Sequence, residues 1–180
     1  MSFELETMTK AKITDVEILS QKNRAPDANP GAKLSISMDL GNDALSYFDG
    51  SLKSFLFYKS AASSKPGQAT LEGVTPVSDM PNLTKAGEAL GALHWDLELT
   101  GYELVIDHGL GGKSNLTLED CKLTGFSFAA KEGGTCTVKL VAESEDVAEK
   151  VFGKLATLKA REVSIMLTAP EVVQQEVETA

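Results

Sequence analysis

The chain has 180 residues, of which 17 are basic and 26 acidic, giving a formal net charge of −9. Hydrophobic residues make up 42%, enough for one ordinary domain to build a core without metals or disulfides. The acidic balance disfavours non-specific binding to a phosphate backbone, which draws on Lys and Arg. No run approaches the roughly 18 apolar residues of a membrane-spanning helix. Met1 to Glu6 has neither the basic nor the apolar region of a secretory signal, so a cytoplasmic protein is expected.

Taken in order, the elements are mostly strands. Lys12 to Ser20 predicts a first strand with Thr14, Val16 and Ile18 on one face. After a Pro- and Gly-bearing loop over Gln21 to Gly31, Lys33 to Leu40 alternates cleanly, with Leu34, Ile36, Met38 and Leu40 inward. Asn42 caps one helical turn over Asp43 to Phe48, which Asp49-Gly50 ends. Lys53 to Lys59 reads as a third strand, Ser60 to Asn82 as an irregular connection, and Leu83 to Leu90 as a short helix.

Leu93 to Asp107 alternates on both sides of Thr100-Gly101, which predicts a hairpin whose paired residue numbers sum to 201. Trp95, Leu97, Leu99, Tyr102, Leu104 and Ile106 then share the buried face. His94, Asp96, Glu98, Glu103 and Asp107 share the other, Glu98 facing Glu103 and His94 facing Asp107. Ser114 to Glu119, Lys122 to Ala129 and Thr135 to Ala142 follow as strands. Asp146 to Leu158 is a helix with a Val147, Val151, Leu155, Leu158 stripe and a capping-box pair, Asp146 and Glu149. Glu162 to Thr168 is the last strand.

These elements predict an α+β fold: a mostly antiparallel β-sandwich or open barrel of seven or eight strands, with one C-terminal helix closing an end. Residues 1–170 form a single β-rich domain, and 171–180 an acidic tail that frays. With a hairpin turning at Glu132-Gly133, paired numbers sum to 265, which places Cys136 opposite Ala129 and Cys121 opposite Ser144. That is too far apart for a disulfide, so two free, buried thiols are expected.

No specific catalytic or metal motif stands in the sequence. Gly111-Gly112-Lys113-Ser114 lacks the first glycine of a phosphate-binding loop, Asp107 holding that position, and a strand rather than a helix follows it. Two histidines and two cysteines show no nucleophile or metal-ligand spacing. No enzyme, cofactor or metal is expected.

Two surfaces remain as binding candidates. On a strand, Lys53, Phe55, Phe57 and Lys59 share a face, placing two rings between two cations, the composition of a stacking platform for single-stranded nucleic acid. The alternative is a central core strand whose end lysines reach water. The second candidate is the carboxylate face of the hairpin, His94, Asp96, Glu98, Glu103 and Asp107, suited to a basic protein partner or simply to water. It falls in the most acidic third of the chain, residues 61–120, which holds three basic and nine acidic side chains.

Several phrases together resemble a group of small β-rich proteins encoded by tailed temperate phages and prophages. They are Ala11-Lys12-Ile13-Thr14, Pro76 to Leu83, Leu99-Thr100-Gly101-Tyr102, Gly109 to Ser114, Asp120-Cys121-Lys122, and Gly153-Lys154-Leu155 leading into Glu162 to Ile165. Such genes often neighbour recombination and replication genes. The resemblance therefore implies a non-enzymatic accessory role in DNA metabolism, on single-stranded DNA or on the recombination or replication machinery, and carries no site residues. The competing expectation is an anti-defence inhibitor that lays the acidic hairpin face on a basic host protein. A virion component is a third. No membrane partner is expected, and an oligomer is compatible with the sequence.

Overall fold

Strands that alternate buried and exposed residues dominate a computed structural model, which describes residues 3–19, 29–59, 78–109 and 114–171. The strands are β1 (Leu5–Ile18), β2 (Ala32–Gly41), β3 (Phe57–Tyr58), β4 (Asn82–Leu83), β5 (Leu93–Trp95), β6 (Leu99–Asp107), β7 (Leu116–Lys131), β8 (Thr135–Ser144) and β9 (Glu162–Thr168). Three α-helices, α1 (Leu52–Leu56), α2 (Lys85–Ala89) and α3 (Glu149–Thr157), and a 3₁₀ helix over Asn42–Tyr47 complete the described residues. The strand order β7-β6-β9-β1-β2-β8 returns to β7, so six antiparallel strands close a barrel. Closure pairs the edges that a sandwich or an open barrel leaves bare.

The inner face follows from the period of two. Leu34, Ile36 and Met38 of β2, Cys136, Val138, Leu140 and Ala142 of β8, and Val163, Ile165 and Leu167 of β9 are all buried. In β7 the buried set changes parity twice, from Leu116 and Leu118 to Cys121 and Leu123, and then to Phe126 and Phe128. Each change falls at a residue with positive φ, Asp120 (φ 49°) and Gly125 (φ 62°). An extra residue at each point turns the strand over by one position, so one long ribbon bends around the barrel. The two strands predicted on either side of Asp120-Cys121 are this single bent strand.

The predicted hairpin at Thr100-Gly101 does not form. β5 and β6 do not pair with each other; both run antiparallel to β7, Trp95 opposite Phe126 and Leu99 opposite Leu123. Gly101 has φ 79° and sits at a register shift inside β6, between Leu99 and Tyr102. A positive-φ glycine serves a bulge as well as a turn, so the same signal has two structural readings. Tyr102, Leu104 and Ile106 are buried as expected, whereas Trp95, Leu97 and Leu99 are only half-buried.

The segment 53–59 is not a strand either. Leu52 to Leu56 forms α1, and only Phe57 and Tyr58 are extended, pairing with Leu83 and Asn82. In β1 a register shift between Ile13 and Asp15 moves the buried face from Ala11 and Ile13 to Val16. Thr14 therefore points outward and donates to the Ser35 carbonyl, and Ile18 is exposed. The helix predicted over 146–158 starts at Glu149 behind Ala148, without a side-chain cap, and Asp146 instead accepts from Asn29 Nδ2. β9 follows it, and its stripe residues Leu155 and Leu158 are buried.

The β7–β8 ladder corrects the predicted register by one residue near the turn. Cys136 lies opposite Ala130, and the sum of 265 is reached only beyond Gly125, at Leu123 opposite Ala142. Cys121 and Cys136 are both free and buried. Residues 21–28 of the expected loop Gln21 to Gly31, 60–77 of the expected connection Ser60 to Asn82, 110–113, and 172–180 of the expected tail 171–180 lie outside the described residues, the glycines of Gly111-Gly112-Lys113 among them.

An aromatic cluster plugs one end of the barrel. Phe48, just past the 3₁₀ helix, packs with tilted rings 4.5 Å from Phe128 and 5.3 Å from Phe126 by ring centroids, and Phe3 lies 5.2 Å from Phe48. Leu45, Leu52, Leu56 and Phe57 continue this packing into the same core. Phe3 leads into β1, whose ladder with β2 ends at Lys12 opposite Ser37. Beyond that point Leu5–Ala11 keep β9 as neighbour and Met38–Gly41 keep β8, so β1 and β2 splay apart at this end.

Candidate functional site

The ring-and-lysine platform expected over 53–59 is not assembled. Once Leu52–Leu56 is a helix, the four side chains no longer share a face. Phe57 is 1% exposed and part of the core, whereas Phe55 is 50% exposed. Lys53 reaches both Asp43 and Asp79, which raises its pKa, the hydrogen bond to Asp43 first. A lysine held by two carboxylates is a poor phosphate contact. Lys59 is exposed, as is its neighbour Tyr58.

The acidic candidate fares differently. Asp96, Glu98 and Glu103 are exposed on the outer wall of β5–β6–β7, as predicted. Loss of the hairpin changes who faces whom. Glu98 does not meet Glu103; it pairs with Lys122 of β7 at 2.8 Å, and this contact raises the Lys122 pKa. His94 lies opposite Ser127, and Asp107 opposite Ser164 with its Oδ1 accepting from the Gly109 amide at 2.8 Å. Asp107 is four residues from Glu103 along β6, about 13 Å at ~3.3 Å per residue. The five predicted residues therefore do not form one patch: Asp96 and Glu98 lie on the link between β5 and β6, Glu103 and Asp107 lie at different points along β6, and His94 on β5 faces β7.

The structure adds a residue the sequence reading missed. Asp120, exposed and in the left-handed region, stands at the β7 bulge opposite the β6 register shift. Asp120 and Glu103 both lie close enough to the Cys121 thiol to raise its pKa, burial being the larger cause, and together these push it up to about 12. The clue in the sequence was Asp120 itself, a residue that tolerates positive φ, at a break between two apolar alternations.

Neither thiol suits nucleophilic chemistry. Burial pushes Cys136 up to about 11, and Cys121 higher still. A thiol protonated at neutral pH and shielded from solvent is not a reactive one. Among the described residues, no three His, Cys, Asp or Glu side chains gather as a metal site, and no helix is long and apolar enough to cross a membrane. No family model, curated protein or solved structure matches this chain.

Proposed function

We propose that the chain is a non-enzymatic accessory protein that binds a basic protein surface through the outer wall of β5–β6–β7. The observation that supports it is the exposure of Glu103 and Asp120 on neighbouring strands of the closed barrel and of Asp96 on the adjoining β5–β6 link, with Lys122 there already engaged by Glu98. Charges fixed on a closed barrel lose little entropy on binding and steer a basic partner by complementary potential. Reversing all three, Asp96→Lys, Glu103→Lys and Asp120→Lys, should abolish co-purification of a basic partner from the producing cell. Wild-type recovery should fall steeply with added salt. Equal recovery by the wild type and the triple variant would refute the reading.

A single-stranded DNA reading is left with narrower support, the exposed pair Phe55 and Tyr58 beside Lys59. Under it, Phe55→Ala weakens binding of a labelled single-stranded oligonucleotide by about 1–3 kcal/mol.

A further inference from the structure

The barrel's splayed corner offers a different surface from the acidic wall. The ladder between β1 and β2 stops at Lys12 and Ser37, yet both strands run on, β1 back to Leu5 and β2 forward to Gly41. Were the pairing to continue, Thr9 would meet Leu40. Instead, among the described residues, neither edge has a strand partner on this side, and a gap lies between them. The register of β1 with β9 also shifts there, between Leu5 and Thr9, and Phe3, just before β1, is buried against Tyr47, Phe48 and Phe126.

Two grooves follow this gap, and each is lined from both edges. One, of about 530 Å³, has Leu5, Glu6 and Thr9 on one side and Leu40 and Gly41 on the other. The next, of about 480 Å³, has Lys10 and Lys12 facing Met38 and Asp39. The first is lined by no Lys or Arg; its Asp43 is held by Lys53 from outside, and its Glu6 is exposed. The second balances Lys10, Lys12 and Lys131 against Asp39 and Glu162.

We infer that this corner is a strand-acceptor site, which takes an extended segment of a partner polypeptide with a lysine or arginine at the end lying against Glu6. An unpaired strand edge is a template for another strand: main-chain hydrogen bonds give affinity, and alternate side chains give specificity. Here two edges face one gap. The charge asymmetry sets the preference, with the cation of the guest at exposed Glu6 and a neutral or acidic residue towards Lys10 and Lys12.

The probe is a fluorescein-labelled decapeptide alternating threonine and valine, with lysines at its first two polar positions, and a second peptide with glutamates in their place. Anisotropy should show saturable binding of the lysine peptide. Binding should be roughly tenfold weaker for the glutamate peptide, and roughly tenfold weaker for the lysine peptide on Glu6→Lys, an exposed position. The amides of Leu5–Ala11 and Met38–Gly41 that face the gap, rather than β9 or β8, should exchange fast in the free protein and slowly in the complex. Slow exchange of those gap-facing amides in the free protein would overturn the inference, because the chain itself or a second copy would already fill the gap. Equal affinity for the two peptides, or binding that leaves these amides unprotected, would overturn it too. The Asp96, Glu103 and Asp120 reversals leave this site untouched, so failure here is distinguishable from failure of the acidic wall.

Discussion

Lys122 and Glu98 join β7 to the link between β5 and β6 by an ion pair of 2.8 Å. The pair replaces the Glu98–Glu103 repulsion that a hairpin would have created. Glu98→Lys therefore places two lysines together instead of relieving a like-charge contact. Both side chains are about half-exposed, so the loss is small and shrinks with salt. Urea denaturation at low and high ionic strength measures it. A hairpin register would have made the same substitution neutral or stabilising.

Phe55 and Phe57 are predicted to differ in kind. Phe57→Ala opens a cavity in the core beneath α1 and should cost on the order of 3–5 kcal/mol. Phe55→Ala removes a half-exposed ring and should cost under about 1 kcal/mol. Melting temperatures of the two variants decide it, and equal losses would contradict the helix over Leu52–Leu56.

Asn42 fastens the turn after β2 to a distant segment. It is fully buried, donates from Nδ2 to the Met80 carbonyl at 2.9 Å, and accepts at Oδ1 from the Ser78 hydroxyl at 2.6 Å. Asn42→Ala leaves both partners wanting and should cost about 1–3 kcal/mol by chemical denaturation. Gly134 borders the same knot at φ 76°, and a Cβ there would lie 2.5 Å from Ser78 Cβ. Gly134→Ala should destabilise as well, through strain and collision together.

The buried thiols predict an alkaline loss of stability. Folding raises Cys121 to about 12 and Cys136 to about 11, from an ordinary value of 9.0. Between those limits the unfolded chain has released protons that the folded chain keeps. Stability is thus whole below pH 9 and falls as pH rises towards 11 and 12. Lys53, raised by Asp43 and Asp79, acts in the same direction above 10.5. A urea midpoint unchanged between pH 8 and 10.5 would contradict this. Alkylation at pH 8 should modify neither thiol in the folded protein and both in urea.

Where one face of a strand is buried, the sequence made it legible. β2, β8 and β9 run close to where their alternation places them, because a slip of one residue would turn every apolar side chain outward. The failures share a cause: a short signal with two readings. Lys53 to Lys59 alternates like a strand, but Leu52 and Leu56, four apart and both buried, carry the helical period that prevails. Gly101 and Gly125 take positive φ in bulges, and bulges change which residues face the core, as they do at Asp120. The acidic side chains were visible in the sequence, but their partners were not. Lys122 meets Glu98, and Asp120 and Glu103 both come near the Cys121 thiol, only because β6 and β7 pair across the barrel wall. Nor does local pattern reveal the splayed corner, beside which Phe3 packs far from its own strand neighbours.

The acidic wall is tested most directly by zero-length carbodiimide crosslinking in the producing cell, which joins a carboxylate only to a lysine it touches, followed by mapping of the joined residues. The account predicts crosslinks from Asp96, Glu103 or Asp120 to lysines of a basic protein, reduced by added salt and lost in the triple reversal. Crosslinks confined to other carboxylates, or none while the protein is bound to single-stranded DNA, would contradict it.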